Sequence, residues 1–402
     1  MVGWKLNKRG LRPIGLDIGH GSIKMIQLLI DDGQMSVHAA DEMRIEVDPD
    51  SDEQARRSAV ISAIKRILAK GSFIGKDVVS CLPSGKLKIT SVRLAEADPG
   101  AIERSLRKEA AQRFGLDTEE DPMDYLVAGS VRQGDEVNNE LILFATDSET
   151  IKDHIGMLEE AGLRPVAIDP IPCALFRSFG RSLRRQEDLE RTVVFVDVGQ
   201  RFTTVVFGHG REISLVKQIG IGGERFVQEI ATKLGVSVGQ AETLRDALRT
   251  SKEASSIDDA DVPESVMGKE EHAIDASTRD MITDVANSVA EDLAREISLC
   301  LRYYTVTFRG ARVERAVFAG GGAYEDILIN VLKRQLVVEV EIAEPLRGLD
   351  LSSRRASLNF QSDRRGRLCE WAVAVGLSLK GWNGIENRRS LVRSGSREYE
   401  RN

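Results

Sequence analysis

Residues 14–29 read IGLDIGHGSIKMIQLL, in which two apolar runs flank a glycine-rich bend. The first run alternates apolar with small or polar residues as a strand does, and the bend Gly19–Ser22 contains two glycines that tolerate positive φ. The second run resumes the strand pattern, so the stretch predicts a β-hairpin. Asp17 at the end of the first strand, free N–H groups in the bend and Lys24 in the second strand are groups that can together hold Mg²⁺ and phosphate oxygens.

Residues 192–207, TVVFVDVGQRFTTVVF, repeat this arrangement. An apolar strand again ends in an aspartate, Asp197, and is followed by a short bend with Gly199 and a second strand. Two such hairpins imply two duplicated halves that face one nucleotide across a cleft. A third stretch, AVFAGGGAY at 316–324, predicts a strand followed by a glycine-rich turn, which a ligand can approach closely.

The two hairpins and the later glycine turn, in this order, resemble the actin-like ATPase superfamily. In that superfamily each of two lobes presents a phosphate-binding hairpin, and a glycine-rich strand-to-helix turn contacts adenosine. The resemblance predicts an α/β, actin-like two-lobe ATPase fold built from duplicated ribonuclease-H-like domains. It also implies ATP and Mg²⁺ as ligands.

Residues 77–169 alternate short apolar strands with amphipathic helices and predict an α+β module inserted in the first lobe. The predicted elements include strands at Val78–Leu82 and Leu163–Ile168, and a helix at Ser148–Ala161 with Ser148 as N-cap. This layout resembles the cell-division protein FtsA and the type IV pilus assembly protein PilM. The likeness to the PilM family spans nearly the whole chain and is carried by GLDIGHGSIK, AIDPIPCALFRSF, VFVDVGQRFTTV, ISLVKQIGIGGERFVQEIATKLGVSVGQAE, RVERAVFAGGGA and AVAVGLSLKGW.

The predicted domain division has a first lobe that is interrupted by the module, a second lobe and a disordered tail. Its parts are the N-terminal portion of the first lobe at 1–76, completed by 170–191 and the C-terminal helix 370–385; the module at 77–169; the second lobe at 192–369, including a helical subdomain at 224–310; and the tail at 386–402. Thr250–Ser277, polar and acidic, is predicted as a surface loop.

Asp17 and Asp197 are predicted to hold Mg²⁺ through water, because Mg²⁺ keeps part of its hydration shell and takes few carboxylates. Lys24 would neutralise phosphate charge. Strand-end aspartates that cap turns and a solvated lysine are the structural alternatives. The predicted phosphate donors of the two bends are Gly19, His20, Gly21, Ser22, Gly199, Arg201 and Thr203. His20 stands where PilM relatives usually have a small hydroxyl residue.

Glycines outside the hairpins complete the predicted nucleotide site. Gly222, Gly223 and Glu224 are predicted to open a helix whose free N–H groups face the cleft, with Glu224 accepting from a ribose hydroxyl. The predicted adenosine contacts are Gly320, Gly321 and Gly322. Plain helix starts are the alternative for these glycines. Neither G-x-x-x-x-G-K-[ST] nor G-x-G-x-x-G occurs in the sequence, so P-loop and Rossmann sites have no support.

Catalysis of phosphoryl transfer needs a polar residue that orients the attacking water. The resemblance places this role in the segment IDPIP at 168–172, where relatives often have a polar or acidic residue at the position of Ile171. Asp169 is the remaining candidate, with a structural turn as its alternative role. We therefore expect nucleotide binding with weak or absent ATPase activity, with Asp17, Asp197 and Asp169 as the catalytic candidates.

The composition excludes several function classes. The formal charge of −7 and the lack of a recognisable RNA or DNA module argue against a nucleic-acid partner, and no 18-residue apolar run predicts a membrane span. The four cysteines and five histidines are scattered without metal-site spacing. A cytoplasmic protein is expected.

The PilM resemblance implies a scaffold role in a pilus assembly complex. It places the cytoplasmic tail of a PilN-like single-span membrane protein in a groove beside the inserted module, which would make this chain peripheral to the inner membrane. The alternatives are a small-molecule kinase of the actin-like fold and an FtsA-like polymerising membrane tether. The sequence leaves open the pilus or secretion system, the turnover of ATP and the oligomeric state, a homo-oligomer included.

Overall fold

The strands form two large sheets and one small sheet. The computed structural model describes residues 10–47, 52–95, 98–117, 119–133, 136–181, 190–254, 275–308, 312–352, 357–360 and 367–381. In chain order its strands are β1 (Leu11–Ile18), β2 (Ser22–Asp31), β3 (Gln34–Arg44), β4 (Asp77–Ser80), β5 (Lys88–Leu94), β6 (Met123–Gln133), β7 (Glu136–Ala145), β8 (Arg164–Ile168), β9 (Thr192–Val198), β10 (Thr203–His209), β11 (Glu212–Ile219), β12 (Val313–Ala319), β13 (Glu339–Ile342) and β14 (Ser357–Asn359).

The helices lie between and beyond these strands. In chain order they are α1 (Glu53–Ala69), α2 (Pro99–Phe114), α3 (Ser148–Glu160), α4 (Ile171–Gly180), α5 (Gly223–Leu234), α6 (Val238–Ala254), α7 (Ala276–Thr307), α8 (Asp326–Gln335) and α9 (Ala372–Ser378), with short 3₁₀ turns at Gly321–Tyr324 and Cys369–Trp371. None of the helices in the described ranges combines the length and apolar character that a membrane span requires.

The first large sheet has the strand order β14-β3-β2-β1-β4-β8. β1, β2 and β3 form an antiparallel meander, and β4 and β8 extend the sheet parallel to β1. One face buries Leu16 and Ile23 against Ile64 of α1, while the other buries Ile26 and Leu28 against α9. The sheet is therefore covered on both faces, as expected for a sheet with parallel strands.

The second large sheet repeats this connectivity. Its order is β11-β10-β9-β12-β13, with an antiparallel meander of three strands followed by two strands parallel to the first. β9 thus corresponds to β1, β10 to β2 and β12 to β4. The predicted duplication of two α/β halves is confirmed.

The inserted unit is smaller than the sequence analysis placed it. Its own antiparallel sheet, β5-β7-β6, lies under α2, and the two ends of the unit meet where the Thr146 hydroxyl donates to the Lys86 carbonyl at 3.0 Å. The strands predicted at Val78–Leu82 and Leu163–Ile168 are expected in this module, whereas β4 and β8 pair within the first large sheet. A short apolar run carries no information about which sheet it joins, so pattern alone misplaced both strands.

Two local details of the segment 77–169 also differ from the sequence-based expectation. β6 was not predicted, because its second half, GSVRQ, is polar and lacks an apolar alternation. The N-cap of α3 is Asp147 and not Ser148, since the Asp147 carboxylate accepts from the Thr150 N–H at 2.7 Å. Aspartate and serine are comparably good N-caps, so the sequence does not decide between neighbours.

The module packs against the second large sheet. Ile142 and Phe144 of β7 belong to the same buried cluster as Phe195 and Val206 of that sheet. At the edge of this contact the Arg93 guanidinium bonds to the buried Glu140 at 2.7 Å and reaches the Thr307 hydroxyl at the end of α7. The module is therefore connected in sequence to the first lobe but packs against the second.

Two helices cross between the sheets. Phe176 and Phe179 of α4 contact the ring of Phe195 in the second sheet, whereas the segment 170–191 is predicted to complete the first lobe. α9, which lies within the C-terminal helix predicted at 370–385, packs on the first sheet. The two helices approach so closely that a Cβ on Gly376 would lie 1.8 Å from the Ala174 carbonyl oxygen, a contact that only glycine permits.

Some predictions fall on residues that the structure does not describe. The predicted tail 386–402 lies outside the described residues, and so do residues 255–274 of the predicted loop Thr250–Ser277. Of the described remainder of that loop, residues 250–254 end α6, Asp275 is the N-cap of α7 and residues 276–277 begin α7.

Candidate functional site

The first hairpin joins β1 and β2 through a tight turn. Asp17 pairs with Lys24 across the ladder, and the Gly19 N–H donates to the Ser22 carbonyl at 3.0 Å to close the turn. Lys24 is buried; its ammonium lies 2.7 Å from the Ser22 hydroxyl oxygen and 3.4 Å from a Glu42 carboxylate oxygen. The lysine is thus held in place and is not the solvated strand lysine of the structural alternative.

The second hairpin has the same geometry. Asp197 pairs with Thr204, and the Gly199 N–H donates to the Phe202 carbonyl at 3.1 Å. The turn residues Gln200 and Arg201 therefore hold the positions that His20 and Gly21 hold in the first hairpin. The sequence repeat corresponds to a structural repeat down to single hydrogen bonds.

The two aspartates act on each other electrostatically. Burial and the charge of Asp17 raise the pKa of Asp197 to about 7, while Lys24 opposes the shift. Burial likewise raises the pKa of Asp17. Burial raises the pKa of the Cys81 thiol, and the charges of Asp17, Asp169 and Asp197 raise it further; the Cys81 sulfur lies 3.9 Å from Asp17 Oδ1. The ends of β1 and β9 therefore face a common space between the lobes.

Basic side chains from both lobes line the outer part of this space. Partial burial, with the charges of Arg201 and Arg56, lowers the pKa of His20. Arg201 is exposed and its guanidinium lies 3.1 Å from the Glu224 carboxylate. Cationic groups gathered beside two turns with free N–H groups are suited to polyanions such as phosphates.

The predicted role of the α5 N-terminus needs correction. The N–H groups of Gly223 and Glu224 do not open into the cleft; they donate to the Gly199 and Gln200 carbonyls at 2.9 and 2.7 Å. Gly222 makes this approach possible, because a Cβ there would lie 2.6 Å from the Gln200 oxygen. The helix start supports the second hairpin from behind.

Thr203 also differs from its predicted role as a phosphate donor. Its side chain is fully buried, and its hydroxyl donates to the Ile221 carbonyl at 2.7 Å. A hydroxyl whose proton is committed inside the protein cannot donate to a ligand in the cleft. Thr203 instead ties β10 to the segment before α5.

The glycine-rich turn follows β12 and lies against the end of β9. Gly320 has φ +82°, and a Cβ on it would lie 2.5 Å from Asp197 Oδ1. A Cβ on Gly322 would lie 2.3 Å from the Val198 side chain, whereas one on Gly321 would meet no atom within 4 Å. Two of the three glycines are thus required by packing beside Asp197, and Gly321 alone of the three borders open space.

Arg245 of α6 joins two parts of the site and was missed by the sequence analysis. Its guanidinium donates to the Gly223 carbonyl at 2.9 Å. It also lies 2.8 Å from the carboxylate of Glu325, the residue directly after the glycine-rich turn. Both side chains are almost fully buried. Nothing in the sequence distinguishes this buried arginine from an arginine on the exposed face of a helix.

Asp169 does not face the cleft as a free carboxylate. It is buried at the start of α4, where Arg177 and Lys380 contact its two different oxygens at 2.9 and 2.5 Å. Burial opposes ionisation of Asp169, but the charges of Arg177 and Lys380 outweigh it and lower the pKa of the carboxyl. This geometry matches the structural alternative for Asp169.

A comparison with known protein families identifies the family of this chain. A family model described as type IV pilus assembly protein PilM matches residues 15–256 and 264–382. The chain belongs to the PilM family. The matched ranges contain the first hairpin from residue 15 onward, the whole second hairpin and the glycine-rich turn.

Solved structures share the fold of this PilM family member. A chain of a PilM–PilN type IV pilus biogenesis complex matches with a TM-score of 0.70 at 20% identity, covering 93% of this chain and 99% of that chain. The ethanolamine utilization protein EutJ from Carboxydothermus hydrogenoformans gives 0.52 at 14% identity, covering 92% and 90%. A Bacteroides thetaiotaomicron protein with an actin-like ATPase fold gives 0.41 at 10% identity, covering 86% and 95%. The predicted fold of two duplicated α/β lobes is confirmed by the repeated sheets and by the likeness to the first two of these structures.

Most predicted site residues of this PilM family member converge between the lobes. Those that lie at the common space or at its turns are Asp17, Gly19, His20, Gly21, Ser22, Lys24, Asp197, Gly199, Arg201, Gly320, Gly321 and Gly322. Gly222, Gly223 and Thr203 support the second hairpin, and Asp169 belongs to a buried ion cluster.

Proposed function

We propose that this PilM family member binds ATP with Mg²⁺ between its two hairpins. The observation that carries the proposal is the pair of carboxylates, Asp17 and Asp197, which end two different sheets and interact across one space. Carboxylate oxygens are the ligands that Mg²⁺ prefers, and a divalent cation between them would relieve their mutual repulsion. The described residues contain no group of three or more candidate metal ligands, so the cation would keep most of its water.

The remaining parts of the site suit the rest of the nucleotide. The turns of both hairpins carry N–H groups toward the phosphates, and the Lys24 ammonium lies beside them. Gly321 borders open space after β12, where a purine ring could approach the backbone. In this scheme ATP bridges the lobes and fixes their relative position.

We further propose that turnover of ATP is weak or absent. Asp169 is held through both oxygens by Arg177 and Lys380, and Ile171 begins α4 with an apolar side chain. Neither residue can orient a water for attack, and neither offers the free base that a kinase needs beside the γ-phosphate, which weighs against the kinase alternative. Isothermal calorimetry should detect Mg²⁺–ATP binding to the purified protein. A phosphate-release rate above about 1 s⁻¹, the range of ordinary enzymes, would contradict the scaffold role.

The likeness to the PilM–PilN complex supports a scaffold role in assembly of a type IV pilus or a related secretion system. We propose that the chain is cytoplasmic and binds the N-terminal tail of a PilN-like protein, which would hold it at the inner membrane. The negative net charge gives no reason to propose a nucleic-acid partner.

The groove proposed for the tail lies where β6 of the module meets α4. Leu126 of β6 and Cys173 of α4 both pack against the same buried cluster, and Asp124 of β6 is exposed and close enough to Cys173 to act on it electrostatically. Partial burial of the Asp124 carboxyl raises its pKa, and the charges of Lys380 and Asp169 also act on it, so the module edge lies close to the end of β8. Cytoplasmic segments next to a membrane span carry an excess of lysine and arginine, so an exposed aspartate in the groove favours such a tail.

A synthetic peptide from the cytoplasmic tail of a neighbouring single-span protein tests this assignment. We expect micromolar affinity, about 8 kcal/mol, and about tenfold weaker binding by Asp124→Lys. Asp31→Lys, at the opposite end of the first sheet, is the matched control. ATP should change the peptide affinity, and the peptide should change the ATP affinity by the same factor. Equal affinity of both variants would place the peptide site elsewhere.

A further inference from the structure

Arg56 contacts the turn of the first hairpin through two hydrogen bonds. It lies in the first turn of α1, and its two terminal nitrogens donate to the Gly19 and His20 carbonyls, each at 2.8 Å. A guanidinium is a planar fork, so two bonds from one fork fix both the distance and the orientation of the two carbonyls.

The second hairpin is held at the corresponding two carbonyls by different donors. Gly199 and Gln200 accept from the backbone N–H groups of Gly223 and Glu224, at 2.9 and 2.7 Å. α1 and α5 follow the third strand of their respective sheets, so they are equivalent helices. The first lobe therefore uses a side chain where the second uses a helix N-terminus.

A reason for the difference lies at the start of α1. Its N-cap is Asp52, whose carboxylate accepts from the Ala55 N–H at 2.7 Å, so a side chain stands at the start of this helix. In α5 the N-cap is Gly222, which has no side chain and lets the helix approach the turn.

Fixing these carbonyls fixes the N–H groups that follow them. In a trans peptide the C=O and N–H bonds point in opposite directions, so carbonyls held toward α1 aim the His20 and Gly21 N–H groups away from it. Within the described part of the chain, neither N–H donates to a protein atom. The same holds for Gln200 and Arg201 in the second turn.

We propose that Arg56 is a positioning residue for nucleotide phosphates, orienting the first hairpin so that the His20 and Gly21 N–H groups face the phosphates. The inference rests on the proposed binding of ATP. Burial and the charge of Arg201 lower the pKa of Arg56, which agrees with a location beside the same space as the second hairpin.

The test compares Arg56→Ala, Arg56→Lys and the control Arg57→Ala. Arg57 is the next residue, but it pairs with Glu160 at 2.7 Å and does not touch the hairpin. We expect Arg56→Ala to bind Mg²⁺–ATP roughly ten- to a hundredfold more weakly, the effect of losing hydrogen bonds from a charged group. Lysine has no fork and should restore only part of the affinity. Adenosine affinity, measured by ligand-observed NMR, should stay unchanged in all variants.

Amide hydrogen exchange of the apo protein supplies a readout that does not depend on ATP. Exchange in a peptide covering residues 17–25 should accelerate in Arg56→Ala and not in Arg57→Ala, at unchanged melting temperature. A wild-type chain that binds no ATP overturns the proposed function and the phosphate role with it. If the wild type binds ATP and Arg56→Ala binds it equally well, only the role of Arg56 is overturned.

Discussion

The carboxylates of Asp17 and Asp197 end corresponding strands of two different sheets, and the charge of Asp17 contributes to a pKa of about 7 for Asp197. Apart from Lys24, which is already bound to Ser22 and Glu42, no other cation acts on the Asp197 carboxyl in the part of the chain that the structure describes. Two acidic groups placed in this way repel each other in the apo protein. A bound cation would turn that repulsion into attraction, so the site is built for a positively charged ligand.

Asp17→Ala should remove Mg²⁺–ATP binding while leaving the protein folded. Loss of one of two carboxylates that hold the cation should weaken binding by at least about a hundredfold, as for other lost contacts between charged groups. The melting temperature of the apo protein should shift by no more than about 4 °C, since the repulsion of Asp197 is removed as well. Calorimetry and thermal unfolding measure the two effects, with the exposed Asp31→Ala as control. Unchanged affinity would show that the hairpins do not bind the nucleotide.

Asp197 should make the stability of the apo protein depend on pH. Its pKa is about 7 in the folded protein and near 3.8 in the unfolded chain, so between these values the folded state retains a proton that the unfolded state has lost. The contribution of Asp197 to stability is therefore present below pH 4 and is lost as the pH rises toward 7. The melting temperature measured from pH 4 to pH 8 should fall less steeply with rising pH in Asp197→Asn than in the wild type. Parallel curves for the two proteins would contradict the raised pKa.

The sequence predicted the parts of the site that recur along the chain. Asp17 and Asp197 could be found because each ends an apolar strand before a glycine, and a repeated pattern is stronger evidence than a single one. Arg56 and Arg245 could not be found, because each acts through contacts with backbone carbonyls of segments distant in sequence. Such contacts leave no periodicity or motif.

Prediction of the fold from sequence patterns has the same limit as prediction of the site. The duplicated sheets were predicted from their hairpins, but the membership of β4 and β8 was not, since a short apolar strand is compatible with any buried sheet. The roles of Gly223 and Thr203 were misassigned for a related reason. The sequence indicates that a hydrogen-bond donor lies near the site, but tertiary contacts decide which acceptor it meets. The Gly223 N–H and the Thr203 hydroxyl both donate to carbonyls of the protein itself.

Gly320→Ala and Gly321→Ala should separate packing from ligand contact in the glycine-rich turn. A methyl group at position 320 would collide with Asp197 Oδ1 in a backbone conformation of φ +82°, so we expect a loss of stability of about 1–3 kcal/mol together with weaker ATP binding. A methyl group at position 321 meets no protein atom and should leave the melting temperature unchanged while reducing ATP affinity. If Gly321→Ala binds ATP as the wild type does, adenosine does not approach this turn.

Asp169→Asn should reveal whether this buried carboxylate stabilises the protein or acts in catalysis. The amide cannot balance the charge of Arg177, whose side chain is only 6% exposed, and removing one member of a buried ion pair typically costs about 3–5 kcal/mol. Asp77→Asn is the matched control, because its partner Arg164 is 72% exposed and exposed pairs contribute about 0–1 kcal/mol.

Chemical denaturation should therefore show a large loss of stability for Asp169→Asn and almost none for Asp77→Asn. Any residual phosphate release should be the same in Asp169→Asn as in the wild type under conditions where both are folded. A catalytic role makes the opposite prediction, in which stability is kept and phosphate release is lost. Because Lys380 lies directly after α9 and Arg177 lies in α4, the same variant also tests whether this ion cluster joins the two helices that cross between the lobes.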